Sequence, residues 1–456
     1  AYHFYMIVPM LLIVALNVGL ILPLAIPLAV LAIVALVLLF QHRPFAWIPT
    51  MGVLVVATIL IVPIHYGIAI KLVTVAGLVF MPISAWLMGR LSGLPFPAPA
   101  LMAAATLPFI FDRSFNIFGG NLMSTMAGEF AYALAVSFCL VYIGVLMRGM
   151  DTGKGRAWAA LLLTLTGLCH LLVAFYALVV TLLVILFQPS KQRIQWIVTT
   201  GITSALLSAF WVLPFWWQRD HLNDMAWDKL PRFKSYLWDR SELAADFLTN
   251  SPPFQVVLVL AGIGFIFSVV FRRLLEIVLG ASLVVLALAF IHLPEGRLYN
   301  GRILPAYYLG AYLLAAIGVA ESFRTIGMLI EGVSGRVRKI GKVFPYLGSI
   351  TSVFLLIILL GLPLRSLPGG TTTGNTYKWM GFETEELNLG RGWVNWNFSG
   401  YEGRIGDVNG GGWEEHRALV NTMEEVSKTY GCGRLMWEYN RDLVRYGTPM
   451  ALMLMP

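Results

Sequence analysis

Uninterrupted apolar runs dominate the pattern of polar and apolar positions along the chain. The runs cover residues 24–40, 53–62, 131–147, 157–187, 256–271, 277–293 and 350–362, and they carry almost no charge. A helix needs about 20 apolar residues to cross a bilayer, where every backbone hydrogen bond must be made within the protein. The pattern therefore predicts an all-α polytopic membrane protein with about 11–13 membrane segments, some of them broken or re-entrant.

Composition and charge agree with this class. Of the 456 residues, 58% are apolar and 12% are charged, against roughly 25% charged residues in soluble domains. A net charge of +8 would suggest a nucleic-acid partner in a soluble protein. Here the Lys and Arg residues cluster in short loops between apolar runs, which is the pattern of cytoplasmic loops. The charge therefore indicates topology, and no nucleic-acid partner is expected.

The basic loops predict which side of the membrane each connection occupies. They contain residues 41–43, 90, 148–156, 191–193, 272–273 and 324–342. Because membrane segments alternate in direction, the remaining connections are predicted to be extracytoplasmic. These are the loops near residues 63–68, 111–125, 218–253 and 294–302, together with the whole region after about 364.

The run 157–187 is too long for one simple span, yet basic loops flank it on both sides. An even number of crossings is needed, so we predict a break at residues 166–170 and two short or re-entrant helices that meet near the outer leaflet. Residues 4–20 contain Pro9 and Asn17, which favours a re-entrant or interfacial piece.

After residue 364 the composition changes to Gly, Asn, Thr, Trp and charged residues. We predict a transmembrane domain at 1–363 and a partial extracytoplasmic α/β domain at 364–456. Trp393, Trp396, Tyr401 and Trp413 are candidates to stack on sugar rings, or else they form the small domain's own core and an interfacial aromatic belt. The chain opens without Met and closes on an apolar stretch, so we expect a fragment of a longer protein.

Several kinds of chemistry are disfavoured by the sequence. The three cysteines, Cys139, Cys169 and Cys432, lie far apart and form no zinc-like spacing. The Gly-rich stretches at 119–120 and 410–412 neither precede Lys-Ser/Thr nor follow a strand in a βαβ unit, so nucleotide-dependent chemistry is not expected.

The predicted outer loop at 111–125 carries the first candidate site residues. Asp112 and Arg113 lie at a helix mouth, Asn121 follows, and Glu129 enters the next helix. A carboxylate near a membrane is costly unless it faces protein, water or a cation. Asp112 and Glu129 are therefore candidates for general base or metal ligand. The alternative is an Asp112–Arg113 or Arg113–Glu129 pair that only locks the loop.

The loop 294–302 provides candidate phosphate ligands on the same predicted side. It contains Glu295, Arg297 and Arg302, and guanidinium groups bind phosphate with paired hydrogen bonds. Ordinary headgroup anchoring is the alternative, although anchoring arginines are expected on the cytoplasmic side. His170, at the predicted break, is either a cavity residue or a packing residue. The segment 216–253 is either an amphipathic surface helix or a lid.

Short motifs along most of the chain carry a family resemblance. They are AYHFYM at 1–6, FDRSF at 111–115 with GGN at 119–121, AGEF at 127–130, GLCHL at 167–171, GRLYNGR at 296–302, and WEY at 437–439 with RYGTP at 445–449. With these motifs the chain resembles bacterial multi-spanning membrane proteins named 6-pyruvoyl-tetrahydropterin synthase-related. Nothing in the chain resembles the soluble pterin enzyme of that name.

Such proteins look like polyprenyl-phosphate-sugar-dependent glycosyltransferases of the C fold class. The resemblance implies an enzyme of the bacterial cytoplasmic membrane. It would move a sugar from a polyprenyl-phosphate donor to an envelope glycan, lipid or protein at the outer face. In that class the principal catalytic carboxylate lies on the first outer loop, which the resemblance places before residue 1.

Under this hypothesis Arg297 and Arg302 bind the donor phosphate, with Arg113, Asn121, His170 and Glu295 as further substrate-binding candidates. Asp112 and Glu129 position the acceptor or a divalent cation, Mg²⁺ or Mn²⁺. The alternative hypothesis is a non-enzymatic lipid or polysaccharide transporter, or a structural subunit of an envelope complex with other membrane proteins. Transporters also use broken helices and charged residues near the membrane surface.

Overall fold

The computed structural model describes residues 66–221, 228–240, 243, 254–295, 298–332, 337–374, 376–384, 412–431 and 433. The chain divides into two units, residues 1–387 and 388–456. The apolar segments predicted at 4–20, 24–40 and 53–62 lie outside the described residues.

Helices form most of the first unit. They are α1 (Tyr66–Leu91), α2 (Ala98–Ile110), α3 (Leu122–Met126), α4 (Phe130–Thr152), α5 (Arg156–Cys169), α6 (Leu171–Phe187), α7 (Lys191–Trp217), α8 (Phe233–Leu237), α9 (Phe254–Phe271), α10 (Leu274–His292), α11 (Leu304–Glu331) and α12 (Val337–Gly361). Short 3-10 helices occupy Arg219–His221 and Asn300–Ile303. In the second unit the described part is chiefly α13 (Gly412–Tyr430).

Within the described part of the chain, seven helices are long and apolar enough to cross a membrane, namely α1, α4, α7, α9, α10, α11 and α12. Three shorter apolar helices, α2, α5 and α6, complete this set. The fold is therefore compatible with a multi-pass helical membrane protein. The total of 11–13 segments stays a prediction, since residues 1–65 are not described.

Helices α4 and α11 form the centre of the bundle. In their membrane-length windows, 78% and 83% of residues are buried, against 17% for α7 and for α12. The peripheral helices instead expose large apolar side chains: Leu206 is 71% exposed, Leu213 65% and Ile350 66%. Apolar surface of this extent is stable only against lipid or another apolar partner.

Helices α9 and α11 approach each other closely through two glycines. A Cβ atom built on Gly264 would lie 2.3 Å from the carbonyl oxygen of Leu314, and one on Gly318 would lie 2.3 Å from that of Leu260. Small residues at a crossing let membrane helices pack backbone to backbone, which is a main source of their association energy.

We expect Gly318→Ala to destabilise the protein by about 1–3 kcal/mol, because the added methyl group meets backbone that cannot yield without separating the helices. The free energy of unfolding from SDS titration in mixed micelles measures this. Gly262→Ala on α9 is the matched control, since a Cβ there meets no atom within 4 Å and Ala favours a helix. Equal losses for both variants would contradict the close-packing interpretation.

Contacts between helices define two ends of the bundle. At one end, Arg193 Nε donates to the carbonyl oxygen of Met150 (3.3 Å) and Trp196 Nε1 to that of Lys154 (3.2 Å). Arg273 forms ion pairs with Glu276 and Glu321. The described loops at 148–156, 191–193 and 272–273, all predicted to be cytoplasmic, therefore lie at one end of the bundle, called here the basic end. Which compartment this end faces stays a prediction.

The predicted break in the run 157–187 is confirmed. Helix α5 ends at Cys169, His170 is extended (φ −157°, ψ 117°), and α6 begins at Leu171. Tyr142 of α4 and Thr181 of α6 share a hydrogen bond of 2.7 Å, and the His170 ring lies 4.6 Å from that of Tyr132. Helix α6 thus runs alongside α4 toward the basic end, and α5 and α6 form a hairpin.

A three-stranded antiparallel sheet follows α12, with strands β1 (Thr371–Thr373), β2 (Thr376–Trp379) and β3 (Phe382–Thr384) in the order β1-β2-β3. The buried Tyr377 donates from its hydroxyl to the carbonyl oxygen of Leu367 (3.0 Å). The sheet belongs to the first of the two units, and the domain division at residue 364 stays a prediction.

Candidate functional site

The end of the bundle opposite the basic end, called here the site end, contains a fully buried ion pair. Arg240 Nη2 lies 2.6 Å from Asp112 Oδ2 and 2.6 Å from Ser114 Oγ, and neither charged side chain is exposed. The other carboxylate oxygen, Asp112 Oδ1, accepts from the backbone N–H (2.9 Å) and hydroxyl (2.6 Å) of Ser114. Both oxygens of Asp112 are therefore occupied by protein donors.

Aromatic rings surround the Arg240 guanidinium. Its central carbon lies 4.3 Å from the Tyr308 ring centre and 5.2 Å from that of Phe254, distances at which a cation is attracted to a ring face. Among the described residues no acceptor meets Nε or Nη1 of Arg240. The backbone of Arg240 is left-handed, with φ 56°, a costly conformation for a residue with a side chain. This strain is consistent with a residue held in place by its ion pair.

Hydrogen bonds of the Asn121 side chain stabilise the turn between α2 and α3. Its amide nitrogen donates to the carbonyl oxygens of Asp112 (2.7 Å) and Phe115 (2.9 Å), and its oxygen accepts from the N–H of Ser124 (2.8 Å). The last contact caps the start of α3. Asn121 is fully buried, so its polar atoms serve the turn that carries Asp112.

A second ion pair lies at the same end and is partly open to solvent. Arg302 Nη2 is 2.6 Å from Glu129 Oε1, with side-chain exposures of 13% and 19%. Glu129 precedes the first residue of α4, and Arg302 lies in the 3-10 helix before α11. The two residues are 173 positions apart in sequence.

Tyr132 and His170 complete this group, which we call the Glu129–Arg302 cluster. The Tyr132 hydroxyl donates to the backbone carbonyl of Arg302 (3.0 Å), and its ring packs against the buried His170. An acid, a guanidinium, a phenol and an imidazole therefore converge where α4, the α5–α6 turn and the start of α11 meet.

A small apolar cavity lies directly below Tyr132, between α4, α6 and α11. Its wall consists of Tyr132, Val136, Cys139, Leu140, Val173, Tyr176, Ala306, Leu309, Gly310 and Leu313. The wall is almost entirely apolar, and the volume of about 20 Å³ admits no more than one group of the size of a water molecule. Tyr132 belongs both to this wall and to the Glu129–Arg302 cluster, so the cavity adjoins the cluster.

Hydrogen bonds hold the segment 228–240 against the site end of the bundle. The backbone N–H of Leu230 donates to Asn300 Oδ1 (3.1 Å), and the hydroxyls of Tyr307 and Tyr308 donate to carbonyl oxygens of Leu237 (3.2 Å) and Tyr236 (2.8 Å). With the Asp112–Arg240 pair these contacts hold the segment against α11. It contains only the five-residue α8, and its described part forms a fixed cover.

The remaining predicted site residues lie in several places. Glu295 is exposed and Arg113 is half-buried. Arg297, Trp393, Trp396 and Tyr401 lie outside the described residues, as does the side chain of Trp413. Tyr299, in the same loop as Glu295, is partly buried, and burial raises the pKa of its phenol. Its hydroxyl therefore stays protonated at neutral pH.

The partners of the two carboxylates bear on metal binding. Among the described residues, no three His, Cys, Asp or Glu side chains are grouped so that they could hold a metal ion. Asp112 and Glu129 each face a guanidinium at 2.6 Å, which takes the position a cation would need. The described residues therefore do not fit an Mg²⁺ or Mn²⁺ site formed by these two carboxylates.

Sequence reasoning missed Arg240 and Tyr132 as site residues. Arg240 stood among many charged residues of the segment 216–253, and its left-handed backbone has no sequence signal such as Gly or Asn. Tyr132 was counted as part of an apolar helix. Pairs separated by 128 and 173 positions can be found from one sequence only by proposing the fold first.

Comparisons of the chain with protein-family models, curated proteins and solved structures found no match. What the protein does must therefore be inferred from its own side chains.

Proposed function

We propose that this protein is a membrane glycosyltransferase that takes a sugar from a polyprenyl-phosphate donor. The observation that carries the proposal is the position of the partly exposed Glu129–Arg302 cluster at one end of a bundle whose peripheral helices expose large apolar side chains. A polyprenyl phosphate sugar has an anionic headgroup, a hydroxyl-rich sugar and a hydrocarbon tail. The Arg302 guanidinium is complementary to its phosphate, and the exposed apolar faces of the peripheral helices suit its hydrocarbon tail.

In the proposed reaction Arg302 binds the donor phosphate, and Glu129 is the general base in place of the first-loop carboxylate that the family resemblance implies. The acceptor hydroxyl oxygen forms a bond to the anomeric carbon of the sugar, and the bond from that carbon to the phosphate oxygen breaks. The bonding electrons leave with the phosphate, whose developing charge Arg302 stabilises. The hydroxyl proton passes to the Glu129 carboxylate. The anomeric configuration is inverted, and the acceptor is an envelope glycan, lipid or protein.

Asp112 has a positioning role in this proposal. Its carboxylate is buried and bound to Arg240 and Ser114, so it is poorly placed to take a proton from an acceptor. It holds the cover segment 228–240 near the cluster instead. Asn121 keeps the backbone of Asp112 in place. Arg297, Glu295, Arg113 and His170 stay candidate contacts for donor or acceptor.

The proposal places the site end on the outer face of a bacterial cytoplasmic membrane. The support for this orientation is the cluster of basic loops at the opposite end, which by the positive-inside rule remains in the cytoplasm. Labelling of single cysteines at Glu295 and at Lys154 with a membrane-impermeant reagent tests it. Labelling of Lys154→Cys but not of Glu295→Cys in intact cells would show that the protein has the opposite orientation.

We expect Arg302→Ala to lower the transfer rate by about 10²–10³-fold, the usual cost of removing one donor to a developing anion. Membranes containing the protein are incubated with a labelled polyprenyl-phosphate sugar and lipid-free acceptor glycan, and the product is counted. Arg302→Lys keeps the charge but not the paired geometry, and should retain part of the rate. Arg219→Ala is the control, since this exposed arginine pairs with Asp220 outside the cluster.

Unchanged transfer by Arg302→Ala would remove Arg302 from the reaction. No transfer by the wild-type protein would instead favour the non-enzymatic alternative. Reconstituted vesicles would then be tested for movement of the labelled lipid across the bilayer.

A further inference from the structure

The three-stranded sheet that follows α12 has two unlike faces. In the register of β2 and β3, Lys378 is opposite Glu383 and Trp379 is opposite Phe382. Opposite residues on paired strands share a face, and neighbours along a strand lie on different faces. One face therefore carries the Lys378–Glu383 ion pair (2.6 Å), with side-chain exposures of 52% and 55%. The other face carries the stacked rings of Trp379 and Phe382, whose centres are 6.4 Å apart.

The aromatic face packs against the end of α12. Tyr377 is buried, and its hydroxyl donates to the carbonyl oxygen of Leu367 (3.0 Å). On the same face, the Trp379 indole N–H donates to the carbonyl oxygen of Pro368 (3.0 Å). Leu367 in turn folds back on the last residue of the helix, since a Cβ on Gly361 would collide with the Leu367 side chain. The sheet therefore lies directly beside the end of α12.

The length of α12 indicates the level at which this end lies. Its membrane-length window, Lys339–Gly361, has 23 residues, which is about 34 Å at 1.5 Å per residue. The hydrocarbon core of a bilayer is about 30 Å thick, so a helix of this length that crosses it ends where hydrocarbon meets headgroups. Apolar side chains are still exposed near this end, with Phe354 57% and Ile357 49% exposed. The sheet beside Gly361 is thus at headgroup level.

The turn between β2 and β3 carries an apolar side chain in an unfavourable place. Met380 and Gly381 both have left-handed backbones, with φ 44° and 86°. Such two-residue turns favour Asn-Gly or Asp-Gly, and a left-handed backbone costs a residue like methionine about 1–2 kcal/mol. Met380 is nevertheless 82% exposed, and the nearby Phe382 is 57% exposed. In water neither side chain has a favourable partner, whereas contact with lipid would bury both.

We propose that the hairpin tip, formed by Trp379, Met380 and Phe382, inserts into the headgroup region of the bilayer and anchors the sheet to the lipid surface. Tryptophan suits this level because its ring is apolar and its N–H is polar. The Lys378–Glu383 pair leaves the opposite face without net charge, so apolar contact supplies the attraction. This anchor is independent of the proposed transfer of sugar.

The test measures the depth of the hairpin tip in the full chain, reconstituted in phosphatidylcholine vesicles. A spin label is attached at Met380→Cys after the three native cysteines are replaced by Ala. Power-saturation EPR then compares collisions of the label with oxygen, which concentrates in lipid, and with a nickel chelate, which stays in water. We expect oxygen accessibility to exceed nickel accessibility at Met380→Cys and the reverse at Thr371→Cys. Thr371 is the matched control, since it is exposed and lies opposite Lys378 on the charged face.

Greater nickel than oxygen accessibility at Met380→Cys would place the tip in water and overturn the proposal. A label reached by neither reagent would show that protein covers the tip, a second copy or another chain, and would overturn it equally. Adding phosphatidylglycerol to the vesicles should not change the depth. Insertion into anionic vesicles alone would assign the contact to charge and contradict an apolar anchor.

A second measurement uses the native sequence, so it does not depend on the cysteine-free protein folding. Hydroxyl radicals oxidise water-exposed methionine to its sulfoxide, and mass spectrometry gives the rate at each residue. The chain itself leaves Met380 82% exposed, so slow oxidation requires cover from outside the chain. We expect Met380 in vesicles to be oxidised several-fold more slowly than in a free peptide of residues 376–384. Equal rates would overturn the insertion.

Discussion

Asp112→Asn is expected to lower the free energy of unfolding by about 3–5 kcal/mol, the largest stability effect we predict. The substitution leaves the Arg240 guanidinium buried without its counter-charge, and an uncompensated buried charge is far more costly than the pair itself. Arg240→Met should have a similar effect, because it leaves the Asp112 carboxylate buried. Measurement is by SDS titration in mixed micelles, with the cleavage rate of the 228–240 segment by trypsin as a local readout.

A double variant distinguishes an ion pair from general packing damage. Asp112→Leu with Arg240→Met removes both charges together and should recover a large part of the lost stability, since an apolar pair can replace a buried ion pair. Asp220→Asn is the control, because its exposed pair with Arg219 is worth less than about 1 kcal/mol. If the two single losses simply add in the double variant, the two residues are not coupled and the cover segment is held by other contacts.

Glu129→Gln is expected to lower the rate of sugar transfer by about 10²–10⁴-fold at saturating donor, the usual contribution of a general base. The amide has the shape of the side chain but accepts no proton. Glu129→Asp should keep part of the rate, since the carboxylate remains at a shorter reach. The measurement is a single-turnover assay with the labelled donor, so that donor binding and the chemical step are separated.

The combination of effects in this variant is diagnostic. Slower transfer with little change in donor affinity is expected if Glu129 takes the proton. A structural carboxylate would change stability and affinity together and would leave the pH dependence of transfer as it is in wild type. A Glu129→Gln rate within tenfold of wild type would exclude Glu129 as the base.

Patterns local to the chain predicted several features of the fold. The run 157–187 was recognised as a broken pair of helices because both flanks are basic, and the structure has the break at His170. Of the basic loops predicted to share one side, those near Arg193 and Arg273 lie at one end of the bundle, while residues 41–43 lie outside the described residues. These inferences succeed because loop charge and apolar length act locally on each segment.

The candidate site was only partly visible in the sequence. Asp112, Glu129, Arg302 and His170 were singled out as polar residues in costly places, and the structure brings all four to one end of the bundle. Their partners were not foreseen, because Arg240 and Arg302 reach their carboxylates from 128 and 173 positions away. The Asp112 and Glu129 carboxylates differ in their exposure to solvent. This exposure depends on neighbouring side chains from several helices.

From the sequence alone followed a multi-pass helical fold, the break near His170 and which of the described basic loops share an end. Apolar length and loop charge suffice for those features, because each feature depends only on one segment of the chain and the solvent around it. The packing of the helices sets a further feature, namely that the Asp112 carboxylate is fully buried among aromatic rings and the Glu129 carboxylate is partly exposed. The difference arises from how α4, α11 and the 228–240 segment pack together, and a linear pattern does not record which distant side chains share a desolvated space.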